Sequence, residues 1–217
     1  MKKRKGLTAL IVILLIILAD QTLKIWVKTH FFLGEDYSIT SWFHLRFIEN
    51  NGMAFGWELW NKYILTFGRI IAVAFFVWFI ARAARIRRLR NGFIISAALI
   101  TAGAAGNIFD CVFYGVIFNN PAPPEVATLF PPEGYAPLFE GKVVDMLYFP
   151  LFTINLGDGQ QWEFFQYIFN IADASICVGV FLLILFYTRD LALSWRLIFP
   201  DKKKKRKAKT ISATEEN

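Results

Sequence analysis

Four stretches of this chain are apolar for close to the length of a bilayer crossing: Leu7–Trp26, Tyr63–Ala84, Gly92–Tyr114 and Phe164–Tyr187. A helix rises 1.5 Å per residue, so about 20 apolar residues cover the roughly 30 Å hydrocarbon core of a membrane. Four such stretches in 217 residues leave little from which to build a soluble domain. Composition agrees, at 56% hydrophobic and 17% aromatic residues, against about 45–50% apolar in soluble domains. The expected fold class is mainly α, a membrane protein with four transmembrane helices and a small β-sheet or cradle on its outer face.

Charge patterning orients the bundle. Lys2, Lys3, Arg4 and Lys5 precede the first span; Arg82, Arg85, Arg87, Arg88 and Arg90 separate the second from the third; Lys202 to Lys207 follow the fourth. Basic clusters at alternate connections are the positive-inside pattern for an even number of spans, with both termini cytoplasmic. The formal charge of +7 then reflects attraction to anionic lipid, and nucleic acid is not an expected partner. The first span lacks a small-residue cleavage site after its apolar core and reads as an uncleaved helix. Residues 1–200 form one expected membrane domain, and 201–217 a basic, disordered, cytoplasmic tail.

The outward loops, Lys28–Lys62 and Gly115–Glu163, carry most of the acids. In the first, Phe43, Leu45 and Phe47 alternate with His44 and Arg46, so Ile39–Ile48 predicts a half-exposed strand. A turn-forming run, Asn50 to Gly56, follows. Trp42, Trp57 and Trp60 suit an aqueous interface. In the second, Asn119–Pro132 is Pro-rich and extended, and Gly141–Phe149 is an apolar run interrupted by Asp145.

Polar groups inside the spans are costly, at least about 2.5 kcal/mol for an aspartate at a helix centre, and need a partner or a task. Asp20 and Lys24 are spaced for an i,i+4 ion pair, which can equally anchor the helix at the headgroups. Arg69 in the second span is expected to snorkel outward. Asn107 and Asp110 share a helix face in the third span, as do Asn170 and Asp173 in the fourth, where Asp173 falls about three turns into the helix. Small residues from Thr101 to Gly106 allow close helix approach. Opposite chain directions bring these groups to one depth on the outer side, and Asp145 is the best partner for Asp173. An aspartate pair that shares one proton activates water on one carboxylate and polarises a carbonyl with the other, without metal or cofactor. His30 and His44 come with no nucleophile elbow, and no zinc or phosphate-loop spacing is present. A proton-coupled transporter also uses intramembrane aspartates, but near the midplane.

Asp20-Gln21-x-x-Lys24, Asn50-x-Gly52-x-Ala54-Phe55, Gly103-x-x-Gly106-Asn107-x-x-Asp110, Val143-Val144-Asp145 and Phe169-Asn170-x-Ala172-Asp173 occur in the order found in lipoprotein signal peptidases (signal peptidase II). The chain resembles that family from its first span through its fourth. The resemblance implies a multi-pass aspartic endopeptidase of the bacterial inner membrane, its cradle built from two periplasmic loops. It would remove the signal peptide from diacylglyceryl-modified prolipoproteins, cleaving before the lipidated cysteine. Asp145 and Asp173 would be the catalytic dyad, supported by Asp20, Lys24, Asn50, Gly52, Asn107, Asp110 and Asn170. Inhibition by globomycin-type compounds is likewise implied, with no metal and no cofactor. Two departures stand out. Cys111 occupies the position where the family commonly has arginine, leaving Arg46 and Arg69 as substitutes, and the interval from Asp110 to Asp145 is longer than usual.

Overall fold

The computed structural model of the chain describes residues 2–51, 62–157 and 160–200. Helices α1 (Lys2–His30), α2 (Lys62–Ala83) and α3 (Asn91–Ile117) are each long and apolar enough to cross a membrane. The chain then forms strands and one further bent helix pair, α4 (Ile171–Phe186) and α5 (Thr188–Ile198), with 90° between the two. Among the described residues there are thus three candidate spans, or four if the bent pair counts as one.

The expected fourth helix from Phe164 begins only at Ile171. Its cause is local. Asn170 has an extended backbone (φ −124°, ψ 179°) and its side chain accepts the N–H of Asp173, an N-cap that starts the helix there. Asp173 is therefore in the first turn of α4, not three turns deep. The apolar residues before it belong to two strands and the connection between them.

The strands are β1 (Asp36–Thr40), β2 (Phe43–Asn50), β3 (Val143–Tyr148), β4 (Phe152–Gly157), β5 (Gln160–Phe164) and β6 (Ile168–Phe169). A four-stranded antiparallel sheet has the order β1-β2-β3-β6, and β4 and β5 form a separate hairpin. The single strand expected over Ile39–Ile48 is instead a hairpin that turns at Ser41 and Trp42. Its alternation holds in β2, where Leu45 and Phe47 are buried and Arg46 is exposed. Both long loops contribute to the sheet, so the two proposed dyad residues are joined by it: Asp145 is in β3, and β6 leads directly into Asn170.

Helix α3 is the hub, packing against α1, α2 and α4. Its glycines explain how closely. A Cβ on Gly103 would lie 2.1 Å from the carbonyl oxygen of Ala172, and one on Gly106 would lie 2.9 Å from Asp20 Oδ2. Two apolar clusters flank this contact. One, around Phe79, Leu89, Phe93 and Ile94, holds the basic end. The other, around Val27, Phe47, Tyr114, Phe118, Val144 and Met146, seats the sheet on the ends of α1 and α3.

The Pro-rich segment has no regular strand but is tied along the end of α3. Phe130 and Ala136 donate backbone N–H groups to the carbonyls of Ile117 and Gly115 (2.8 and 3.0 Å), which the helix itself leaves free. Gly141 N–H reaches the carbonyl of Cys111 (2.9 Å). The insert thereby delivers the chain to β3 beside Asp110.

Candidate active site

Lys24 is fully buried, and its ammonium is the centre of a polar cluster between α1 and α3. It lies 2.9 Å from Asp20 Oδ2 and 2.7 Å from Asp110 Oδ2, and it donates to Asn107 Oδ1 at 2.8 Å. The i,i+4 pair expected from sequence is present, but it faces α3 rather than the headgroups. Three acceptors match the three donors of an ammonium. Gln21 completes the cluster, donating to Asp110 Oδ1 (2.8 Å) and Asp20 Oδ2 (3.1 Å) and accepting from Tyr114 (3.0 Å).

Each acid of this cluster also holds backbone. Asp20 Oδ1 accepts the N–H of Ala172 at 2.8 Å, which fixes the start of α4 and puts a carboxylate at a helix N-terminus. Asp110 Oδ2 accepts the N–H of Val144 at 3.3 Å, which fixes β3. The buried pair is thus the point where α1 and α3 set the position of the two elements that carry Asp145 and Asp173.

Asp145 and Asp173 are linked through two asparagines. Asn170 donates to Asp145 Oδ1 (2.6 Å) and to Asn107 Oδ1 (3.2 Å), and Asn107 donates to Asp173 Oδ1 (2.7 Å). Asn50, at the end of β2, also hydrogen-bonds Asp145. Asp145 is 3% exposed. Burial raises its pKa from the ordinary carboxylate value to about 7, and the nearby charge of Asp173 adds to this; Lys24, Asn170 and Asn50 oppose it. Lys24 pairs directly with Asp20 and Asp110, so its charge offsets only part of the rise at Asp145. Asp173 is half-buried and so marks the open side of the cluster.

Of the residues singled out in the sequence, Asp20, Lys24, Asn50, Asn107, Asp110, Asp145, Asn170 and Asp173 converge. Gly52 lies outside the described residues, as do Trp57, Trp60 and the tail 201–217. Among the described residues no group of three His, Cys, Asp or Glu side chains could hold a metal ion.

The sequence reading missed a second buried ion cluster. Glu49 is paired with Lys28 and, at 3.1 Å, with Lys142. The Lys28 ammonium lies over the rings of Phe47, Phe118 and Tyr135, at 5.2–5.6 Å. Glu49 precedes Asn50 and sits opposite Val144 in the sheet, so it anchors the strand pair beside Asp145. The spacing of Lys24 and Lys28 on one helix face was the available signal.

Arg69 Nη1 donates to Cys111 Sγ at 3.6 Å, which holds its guanidinium against α3. It therefore brings a guanidinium to the position where Cys111 replaces arginine. Arg46 is elsewhere, over the ring of Tyr148.

The family model for signal peptidase (SPase) II matches residues 12–189. The lipoprotein signal peptidase of Porphyromonas gingivalis is 42% identical over 196 residues, covering 87% of this chain and 85% of that protein. That of Amoebophilus asiaticus is 36% identical, covering 79% and 74%. A bacterial membrane enzyme solved by the in meso method at 1.9 Å resolution has the same fold, with a TM-score of 0.55 at 24% identity over 82% of this chain and 90% of the other. A match across most of the sequence establishes that this chain belongs to the signal peptidase II family of multi-pass membrane proteases.

Proposed function

We propose that this chain is an aspartic endopeptidase that removes the signal peptide from prolipoproteins, with Asp145 and Asp173 as its catalytic pair. The hydrogen-bond path Asp145–Asn170–Asn107–Asp173 is the observation that carries the reading. It links one carboxyl whose pKa burial raises to about 7 to another on the open side. The ionised member takes a proton from water as the water oxygen bonds to the scissile carbonyl carbon. The protonated member donates to the carbonyl oxygen. Collapse of the tetrahedral diol then breaks the C–N bond as the nitrogen takes up a proton, releasing acid and amine. Asn107 and Asn170 orient both acids without competing for the proton. Lys24 binds Asp20 and Asp110 and lowers the negative field on the pair.

The basic connections at one end of the bundle, with the acidic cluster and its sheet at the other, support a four-span arrangement in the inner membrane with both termini cytoplasmic. The sheet and the exposed Trp42 and Phe152 beside it form a cradle on the periplasmic side. There the diacylglyceryl-modified cysteine of the substrate rests at the interface while its signal helix enters among the spans. Globomycin-type inhibitors bind against the same aspartates.

The test is cleavage of a diacylglyceryl-modified precursor by purified protein. Asp145→Asn and Asp173→Asn each lower the rate by at least about 10²–10⁴-fold, the usual weight of a general acid or base. A purified Asp173→Asn variant that still cleaves would overturn the assignment.

A further inference from the structure

At the end of the bundle opposite the aspartates, α5 turns away from α4 by 90°. The bend is held by one side chain. Arg90 donates from Nε to Asp190 Oδ2 (2.7 Å) and from its backbone N–H to Asp190 Oδ1 (2.9 Å), and it caps the carbonyl of Phe186 while lying over the ring of Tyr187. The inner face of α5 is used: Asp190 and Ser194 are buried, and Leu193 and Ile198 pack on the apolar cluster of α2 and α3.

Two further stripes run along α5 with their side chains largely exposed. Leu191, Trp195 and Phe199 recur every four residues and are 36%, 55% and 39% exposed. Arg189 and Arg196, seven apart, are also exposed and lie about a third of a turn round the helix from that stripe. The apolar stripe continues onto α2, where Trp78 lies 5.6 Å from Phe199 and carries Arg82 over its ring. The exposed arginines of the α2–α3 connection, Arg85, Arg87 and Arg88, add charge at the same end. Asp190, the acid of α5, is already spent on Arg90.

An apolar stripe with a tryptophan, flanked by cations at the end of a span, fits a helix lying in the plane of the headgroups. The excess of arginine without free carboxylates selects the headgroup. We infer that α5 is an in-plane anchor that binds anionic phospholipid, with Leu191, Trp195 and Phe199 in the acyl boundary and Arg189 and Arg196 on phosphates. The inference is independent of the peptidase reading, because α5 contributes nothing to the aspartate cluster.

The test uses the full chain in nanodiscs. In a Cys177→Ser background, a fluorescent probe attached at Leu191→Cys is quenched by a doxyl lipid labelled near the glycerol and is shielded from aqueous iodide. Preference for pyrene-labelled phosphatidylglycerol over phosphatidylcholine falls about fivefold for each arginine removed, and so about 25-fold in Arg189→Gln/Arg196→Gln. Retained precursor cleavage shows that the variant is folded. Iodide quenching of the probe, or an unchanged lipid preference in the double variant, would overturn the proposal. So would a probe shielded from both quenchers in particles of doubled mass, which would mean that a second copy covers the stripe.

Discussion

Lys24 Nζ lies 2.7 Å from Asp110 Oδ2, and neither side chain is exposed. A pair this deep gains little net energy from being ionic, but losing one member is expensive because the other stays buried and charged. The pair matters for what hangs from it: Asp110 holds β3 through Val144, and Lys24 also holds Asn107 and Asp20.

Lys24→Met is expected to cost about 3–5 kcal/mol, seen as a lower thermal midpoint of the purified protein. It also removes a charge that lowers the pKa of Asp145, so the titration of that carboxyl moves up. A double variant, Lys24→Met with Asp110→Asn, recovers part of the midpoint. Additive losses in the pair would contradict the coupling.

The pH dependence has a definite sign. Asp145 is raised to about 7, first by burial and then by Asp173. Between the ordinary carboxylate range and about pH 7 the folded chain binds the extra proton, so this group's contribution to stability falls as pH rises through that window. Cleavage, which needs one proton on the pair, also falls above about pH 7. In Asp173→Asn the neighbouring charge is gone and the Asp145 titration moves down, which carbonyl-labelled aspartate NMR can follow. A fixed or rising titration would show that the two carboxyls do not interact.

Glu49→Gln leaves Lys28 buried among aromatic rings with no carboxylate, and frees Lys142. The expected cost is again about 3–5 kcal/mol. Because Glu49 adjoins Asn50, cleavage drops as well, and the basic limb of the pH profile shifts up as the Asn50 bond to Asp145 loosens. A profile displaced in rate alone would limit Glu49 to holding the sheet.

Arg69 and Cys111 should behave as an exchanged pair. Cys111→Arg alone puts two guanidinium groups together in a site that is 1% exposed and lowers the thermal midpoint. In an Arg69→Ala background the same change costs less, with a coupling of about 0.5–3 kcal/mol. Equal costs in both backgrounds would mean that the two positions are independent.

Much of the site was legible because polar residues in apolar helices are few and their spacing is periodic. Asp20 with Lys24, and Asn107 with Asp110, are one helix face apart by arithmetic alone, and both pairs converge as that arithmetic requires. Glu49 was not legible. An acid in a polar loop carries no energetic signal until Lys28 and the rings of Phe47, Phe118 and Tyr135 close over it. The start of α4 was misread for a related reason: hydropathy rates Phe164–Phe169 as span, whereas Asn170 caps the helix and leaves those residues to the end of β5, a short connection and β6.

The order of charges and apolar runs determined by itself that this chain is a helical membrane protein with its acids gathered toward one end, because transfer of side chains into hydrocarbon depends on composition and length. The tertiary structure alone decided which acids burial shifts and where the last helices begin and bend. Those outcomes depend on distances between segments far apart in the chain. Val144 on Asp110, Ala172 on Asp20 and Asp190 on Arg90 are such contacts, and local sequence has no term for them.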